Sequence, residues 1–301
     1  MNTAIPLSVG VIQGLILVWP VLALALAYRL FDFPDISVEG SFLLGGAAFA
    51  VAAQAHWHPL AACAAAMLAG GLLGMTTGFI HSSLRLNKFL AGILVTAVAY
   101  SLALRVMGAS NIGLLSYLGF FDWVRPINAK FHVGTHDVAS LMLLAGILAI
   151  LLTLLRLWFR ARQGIKMRAA SIGGTFAENA GLKRTAWLMA GLALTNALSG
   201  FGGALISMRQ GFADISMNQG IIILALAALS LGERLMPRRS LHTVNFVLLS
   251  AVAGSVVYQV IVVYTIRVGV NPSDIKLITA AVVLGAICMR RPEQRLLSSE
   301  E

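Results

Sequence analysis

Two short stretches carry ionisable and hydroxyl side chains inside an otherwise greasy chain. Residues 31–42 read FDFPDISVEGSF and residues 211–222 read GFADISMNQGII. Four of five positions agree between Phe33–Ser37 and Phe212–Ser216. The first offers Asp35, Ser37 and Glu39; the second offers Asp214, Ser216, Asn218 and Gln219. Such groups bind polar solutes, carry ions or cap helix ends. An ionised carboxylate at the membrane centre costs about 3 kcal/mol or more, so it faces protein or a wet path. Asp35 or Ser37 also fits the N-cap of a following helix, worth about 1 kcal/mol, and Asp214 and Ser216 fit that role later. For Glu39, Asn218 and Gln219, path and cap stand level. Pro34 suits both cases, because it ends the helix before it.

Other chemistry has little to stand on. His56 and His58, and His132 and His136, lack an acid or cysteine at ligand spacing, so no metal is expected. Cys63 and Cys288 fall in apolar runs as packing thiols. No GxSxG or Ser-His-Asp pattern occurs, and no GxxxxGK[ST] phosphate loop, so the chain does not hydrolyse ATP by that chemistry.

The elements that must position the motifs are membrane helices. The 301 residues are 58% hydrophobic and 11% charged, against about 25% charged in a soluble domain. Apolar runs of about 20 residues recur, enough to cross about 30 Å of hydrocarbon. Nine spans are expected, near 8–30, 36–54, 59–80, 89–107, 137–158, 185–206, 215–232, 242–264 and 273–290. The second and seventh are short and open on polar residues, as partial spans do. The first lacks a cationic start and reads as a retained span. Sixteen of the 22 Lys and Arg residues fall on one side if the loop 159–184 is cytoplasmic. That asymmetry predicts an N-out, C-in chain, and cations so scattered over short loops exclude a nucleic-acid face. Gly108–His136 is then external, its Tyr117, Phe120, Phe121 and Trp123 suited to the headgroup layer.

The fold expected is therefore all-α: one polytopic transmembrane bundle over 1–301. Five crossings separate the two Asp-Ile-Ser motifs, so a repeat over about 8–107 and another over about 185–290 would be inverted, with a binding site between them. NKFLAGILVTAV from Asn87 and IKLITAAVVLGA from Ile275 give a second matching pair. Gly70, Gly74 and Gly78 form a small-residue stripe suited to close internal packing. Within the basic loop, Ser171–Gly181 reads as a short helix with Gly181 as its left-handed stop.

RLFDFPDISVEGSFLLGGA, NKFLAGILVTAVAYSLALRVMGASNIGLL, RAASIGGTFAENAGL and ADISMNQGIIILALAALSLGERL together resemble a permease subunit of an ATP-binding cassette importer. The group resembled is the branched-chain amino acid and ribose permease superfamily, and within it the tryptophan/tyrosine-type uptake permeases. The resemblance covers about residues 8–290. It implies a multi-pass protein of the bacterial inner membrane that moves an amino acid inward as a permease homodimer. A solute-binding protein would deliver the solute outside, and a partner ATPase would carry ATP and Mg. The loop at about 159–184 would couple to that ATPase through Arg168, Ala169, Ala170, Glu178 and Gly181. The sequence departs at Ser171, where relatives commonly have glycine. The rival reading is an ion-coupled secondary transporter that uses Glu39 or Asp214 and has no need of such a loop.

Overall fold

The computed structural model describes residues 7–114, 117, 119–121, 137–172, 179, 181–236, 243–269, 274, 277 and 281. Among them are nine helices: α1 (Leu7–Leu30), α2 (Ser37–Gln54), α3 (Pro59–Leu84), α4 (Lys88–Met107), α5 (Asp137–Arg160), α6 (Arg162–Ile172), α7 (Arg184–Gln210), α8 (Ile221–Leu235) and α9 (Thr243–Arg267). Two three-residue strands, β1 (Asn111–Gly113) and β2 (Phe212–Asp214), pair antiparallel with Asn111 opposite Asp214.

Six of these helices, α1, α3, α4, α5, α7 and α9, are long and apolar enough to cross a membrane. The expected partial spans are the shorter ones. α2 has 18 residues and α8 has 15, and at 1.5 Å per residue α8 covers only about 22 Å. Helix α8 also starts later than the apolar run suggested, at Ile221 instead of Ile215, because Gly220 turns left-handed at φ +89° and residues 215–220 form turns. The ninth expected span, 273–290, lies almost wholly outside the described residues.

The core forms where small residues let backbones meet. Helix α7 is the hub, packed on α1, α2, α3 and α6, while α9 packs on α1 and α8. The stripe on α3 faces α7: a Cβ built on Gly70 would lie 2.4 Å from the Asn196 carbonyl oxygen, and one on Gly74 would lie 2.1 Å from that of Leu192. Gly10 and Gly14 of α1 meet Val260 and Val256 of α9 in the same way. The stripe is therefore internal packing. By contrast α5 buries only 22% of its span, which leaves an apolar face outward, as lipid requires.

Gly74→Val is expected to force α3 off α7 and to lower stability by about 1–3 kcal/mol. Gly71→Ala, whose Cβ would sit 3.4 Å from its nearest neighbour, should change it by under about 0.5 kcal/mol. Thermal melts in detergent check the pair, and equal melting of the two variants would contradict the packing.

The described aromatics after β1 pack onto the bundle. Phe120 is 6% exposed, and Tyr117 donates to the Trp57 carbonyl at 3.0 Å with its ring edge-on to Phe49. Trp123 lies outside the described residues. His58 is used as a cap, its Nδ1 accepting from the Leu60 N–H at 3.3 Å; His132 and His136 are not among the described residues.

Candidate translocation site

Helix α1 stops at Leu30, and the chain turns through Asp32 at φ +49° before α2 begins. The turn is pinned from several directions. Phe33 is fully buried, edge-on to His81, and Thr96 of α4 donates to the Ile36 carbonyl at 3.2 Å.

Asp35 lies inside this turn, fully buried, in a closed polar cluster. Its Oδ1 accepts from the Ser37 N–H at 2.8 Å and the Ser37 hydroxyl at 2.5 Å. Its Oδ2 accepts from Asn196 Nδ2 of α7 at 2.6 Å. Asn196 gives its second N–H proton to the Leu192 carbonyl at 2.9 Å and accepts from the Ser41 hydroxyl at 2.6 Å. The amide orientation is fixed, because a flip would aim its oxygen at a carboxylate and a carbonyl. No Lys or Arg pairs with Asp35 among the described residues. Asp35 thus meets the first N–H of α2 as a cap does, and it also ties α2 to α7.

The second turn repeats the local pattern. Asp214 Oδ1 accepts from the Ser216 N–H at 2.8 Å and from the Ser216 hydroxyl, and its Oδ2 accepts from Asn111 Nδ2 at 3.2 Å. Each aspartate thus holds its own serine two residues on and an asparagine from another segment. Asp214 caps this turn and not α8, and it is partly exposed. Ser216, first by its hydroxyl and then by its N–H, and after it Asn111, hold the Asp214 carboxyl below the usual carboxylate range. A lowered folded-state value gives stability that is present above about pH 4 and lost as pH falls through the lowered value. Hydrogen-exchange protection of the Ser216 amide should therefore match at pH 7 and about pH 5, and fall only in acid below the ordinary carboxylate value of about 4. Protection that persists in stronger acid would rule out the carboxylate as the acceptor.

The two short helices meet at Glu39. It stands in the first turn of α2, half-buried, and its Oε1 accepts from the Gly220 N–H at the start of α8, 3.2 Å away. One carboxylate thus faces two positive helix ends. The turn before Gly220 lies along α2, with Met217 against Gly46; Asn218 is buried and Gln219 exposed.

At the other end, α1 and α8 are tied by Arg29, which grips Glu233 with Nε at 2.6 Å and with Nη2. Helix α6 carries Arg168, Ala169 and Ala170, with Ala170 buried and Ala169 exposed. Arg168 donates from Nη2 to the Phe159 carbonyl at 3.1 Å, which clamps α6 to the end of α5. The Phe159 ring in turn lies 6.2 Å from that of Phe31, in the first turn motif. The chain only bends at Ala161 and continues as α6; of the separate helix expected over Ser171–Gly181, residues 173–178 and 180 lie outside the described residues, and Asn179 is helical. Gly181 adopts the left-handed turn, at φ +75°. Glu178 lies outside the described residues.

Sequence reasoning missed Asn196, Ser41, Asn111 and Gly220. A lone amide in the apolar run of α7 was a usable signal for Asn196, since such a group needs partners at membrane depth.

The chain is 28% identical over 272 residues to a tyrosine transport system permease protein of Clostridioides difficile (strain R20291), covering 90% of this chain and 87% of that one. It is 26% identical over 280 residues to an uncharacterised protein of Rickettsia prowazekii (strain Madrid E), covering 90% and 92%. No solved structure matches it significantly. The profile of one family, described as the branched-chain amino acid transport system permease component, matches residues 7–288. With that match over nearly the whole bundle of membrane helices, the chain belongs to the branched-chain amino acid transport permease family and is a non-catalytic transporter subunit.

Proposed function

We propose that this chain is the inward-moving permease of an ATP-driven importer for an amino acid, with tyrosine the best single choice. The observation that carries the reading is the family match over residues 7–288, and the name of the clostridial relative supports the substrate. The chain would lie N-out and C-in and work as a homodimer, supplied by an external solute-binding protein.

The path would run where the short helices break. Residues 8–107 and 185–290 act as inverted repeats in this reading. Three features support it: the matched Asp-Ser turns, the packing of α3 on α7 and of α9 on α1, and the pairing of α2 with α3 and of α8 with α9. Non-helical backbone at membrane depth is tolerated only when buried or beside a cavity, and residues 215–220 meet that condition against α2. Glu39, Asn218, Gln219, Asp214 and Ser216 line the path. Asp35 and Ser37 hold the break open from behind, because every polar atom of their cluster is already used.

Coupling would enter through residues 159–184. The line from Arg168 to Phe159 to Phe31 gives ATPase-driven movement of α6 a packed route to the first turn. Interiors transmit such shifts because they are close-packed. Glu178 and Gly181 would sit in the ATPase groove with Ala169, and ATP and Mg belong to that partner.

The test is purification of the tagged native protein with its partners. A stoichiometric ATP-binding cassette subunit should accompany it. Glu178→Arg should cut recovery of that subunit about tenfold or more while membrane insertion is unchanged, as reversal of one charge in a buried contact does. Normal recovery with the variant would remove the coupling assignment.

A further inference from the structure

The outer face of α5 carries a feature that solute transport does not use. Leu151, Leu154, Leu155 and Trp158 form one stripe of α5 at helical spacing, and with Leu157 of α5, Ala161 in the bend after it and Leu194 of α7 they line a groove of about 470 Å³. From Leu151 to Ala161 is ten residues, or about 15 Å, which is one leaflet of a core about 30 Å thick. The wall is apolar throughout, and Leu154 and Trp158 are largely exposed, at 55% and 46%.

Two arginines follow the α5 lining along the chain. Arg162 follows Ala161 directly, and Arg184 shares the helical stripe of α7 that runs through Trp187 and Gly191 to Leu194. Both arginines are exposed, and neither forms an ion pair among the described residues. Residues 138–177 contain no acid at all. Trp158 has the ring suited to the headgroup level beside them.

We infer that this groove holds one anionic phospholipid, with an acyl chain along the α5 stripe and its phosphodiester at Arg162 and Arg184. Length, apolar lining and charge at one end together fit that occupant. A zwitterionic lipid matches the wall but not the arginines, and a free anion matches the arginines but not the wall. Because α6 begins at Arg162, the lipid would also set the stance of α6 on the membrane surface. The inference does not depend on which solute is moved.

Native mass spectrometry of the detergent-purified full chain tests it, with phosphatidylglycerol and phosphatidylcholine titrated in parallel. Phosphatidylglycerol should be retained about tenfold more strongly, since a basic residue near the surface favours anionic lipid. The double variant Arg162→Gln/Arg184→Gln should abolish that preference. Leu154→Trp, which fills the groove from an exposed position, should reduce retention with both arginines intact. Equal retention of the two lipids by the native chain would overturn the proposal, as would an unchanged preference in the double variant. Full retention in Leu154→Trp with displacement by inorganic phosphate would mean an anion site without a chain, and so would also overturn it. Loss of the ATPase subunit with lipid retained, in the double variant, would assign the arginines to a protein interface and overturn it likewise.

Discussion

Asn196→Leu is expected to destabilise the folded permease by about 3 kcal/mol, the cost of leaving a buried charged acceptor short of its partner. Asn196 supplies the one donor to Asp35 Oδ2 from outside the turn and accepts the Ser41 hydroxyl at 2.6 Å. Leucine is of similar size, so the loss would come from hydrogen bonding and not from a cavity. Asp35→Leu alone should cost a comparable amount, because it strips Ser37 and Asn196 together. The double variant Asp35→Leu/Asn196→Leu should cost clearly less than the two single losses combined, since removing both partners spares the orphaned group. Thermal melts of the four proteins in one detergent give the coupling. Strict additivity would mean that the two residues do not act as a pair.

Glu39→Gln should separate path from cap. Glutamine keeps an oxygen for the Gly220 N–H, so melting should shift by no more than about 0.5 kcal/mol. Uptake should fall about tenfold to a hundredfold, because hydrogen bonds to a charged group are worth about 1.5–3 kcal/mol and only the charge is lost. Radiolabelled tyrosine uptake by proteoliposomes measures it. Unchanged uptake with a lowered melting temperature would make Glu39 a cap for α8 and nothing more.

Much of the fold was legible because membrane helices announce themselves by length and apolarity. Pro34 and the two Asp-Ile-Ser stretches mark breaks in the chain, and both breaks are present. The start of α8 was not legible. Ser216, Asn218 and Gln219 are as compatible with a polar first turn of a helix as with a loop, and it is the use of Asp214 on Ser216, with Gly220 turning left-handed, that delays the helix to Ile221. Periodicity records which residues are apolar, not which N–H group an aspartate takes. The glycine stripe of α3 was visible, but its partner α7 was not, since a contact surface on one helix does not name the other. Asp35 and Glu39 looked alike as acids near a helix start. Burial separates them: Asp35 is enclosed by three donors, while Glu39 keeps room beside its one contact. The packing of Tyr117 and Phe120 on the bundle was not legible either, since such rings suit a headgroup layer and a bundle surface equally by composition.

The central claim is that solute moves through this subunit on the energy of a partner ATPase, and ATP dependence of transport tests it most directly. The permease, reconstituted with its co-purified ATPase and solute-binding protein, should accumulate labelled tyrosine only when Mg-ATP is on the ATPase side, with or without an ion gradient. Accumulation by the permease alone under a proton or sodium gradient, indifferent to ATP, would contradict the account and point to Glu39 or Asp214 as an ion carrier.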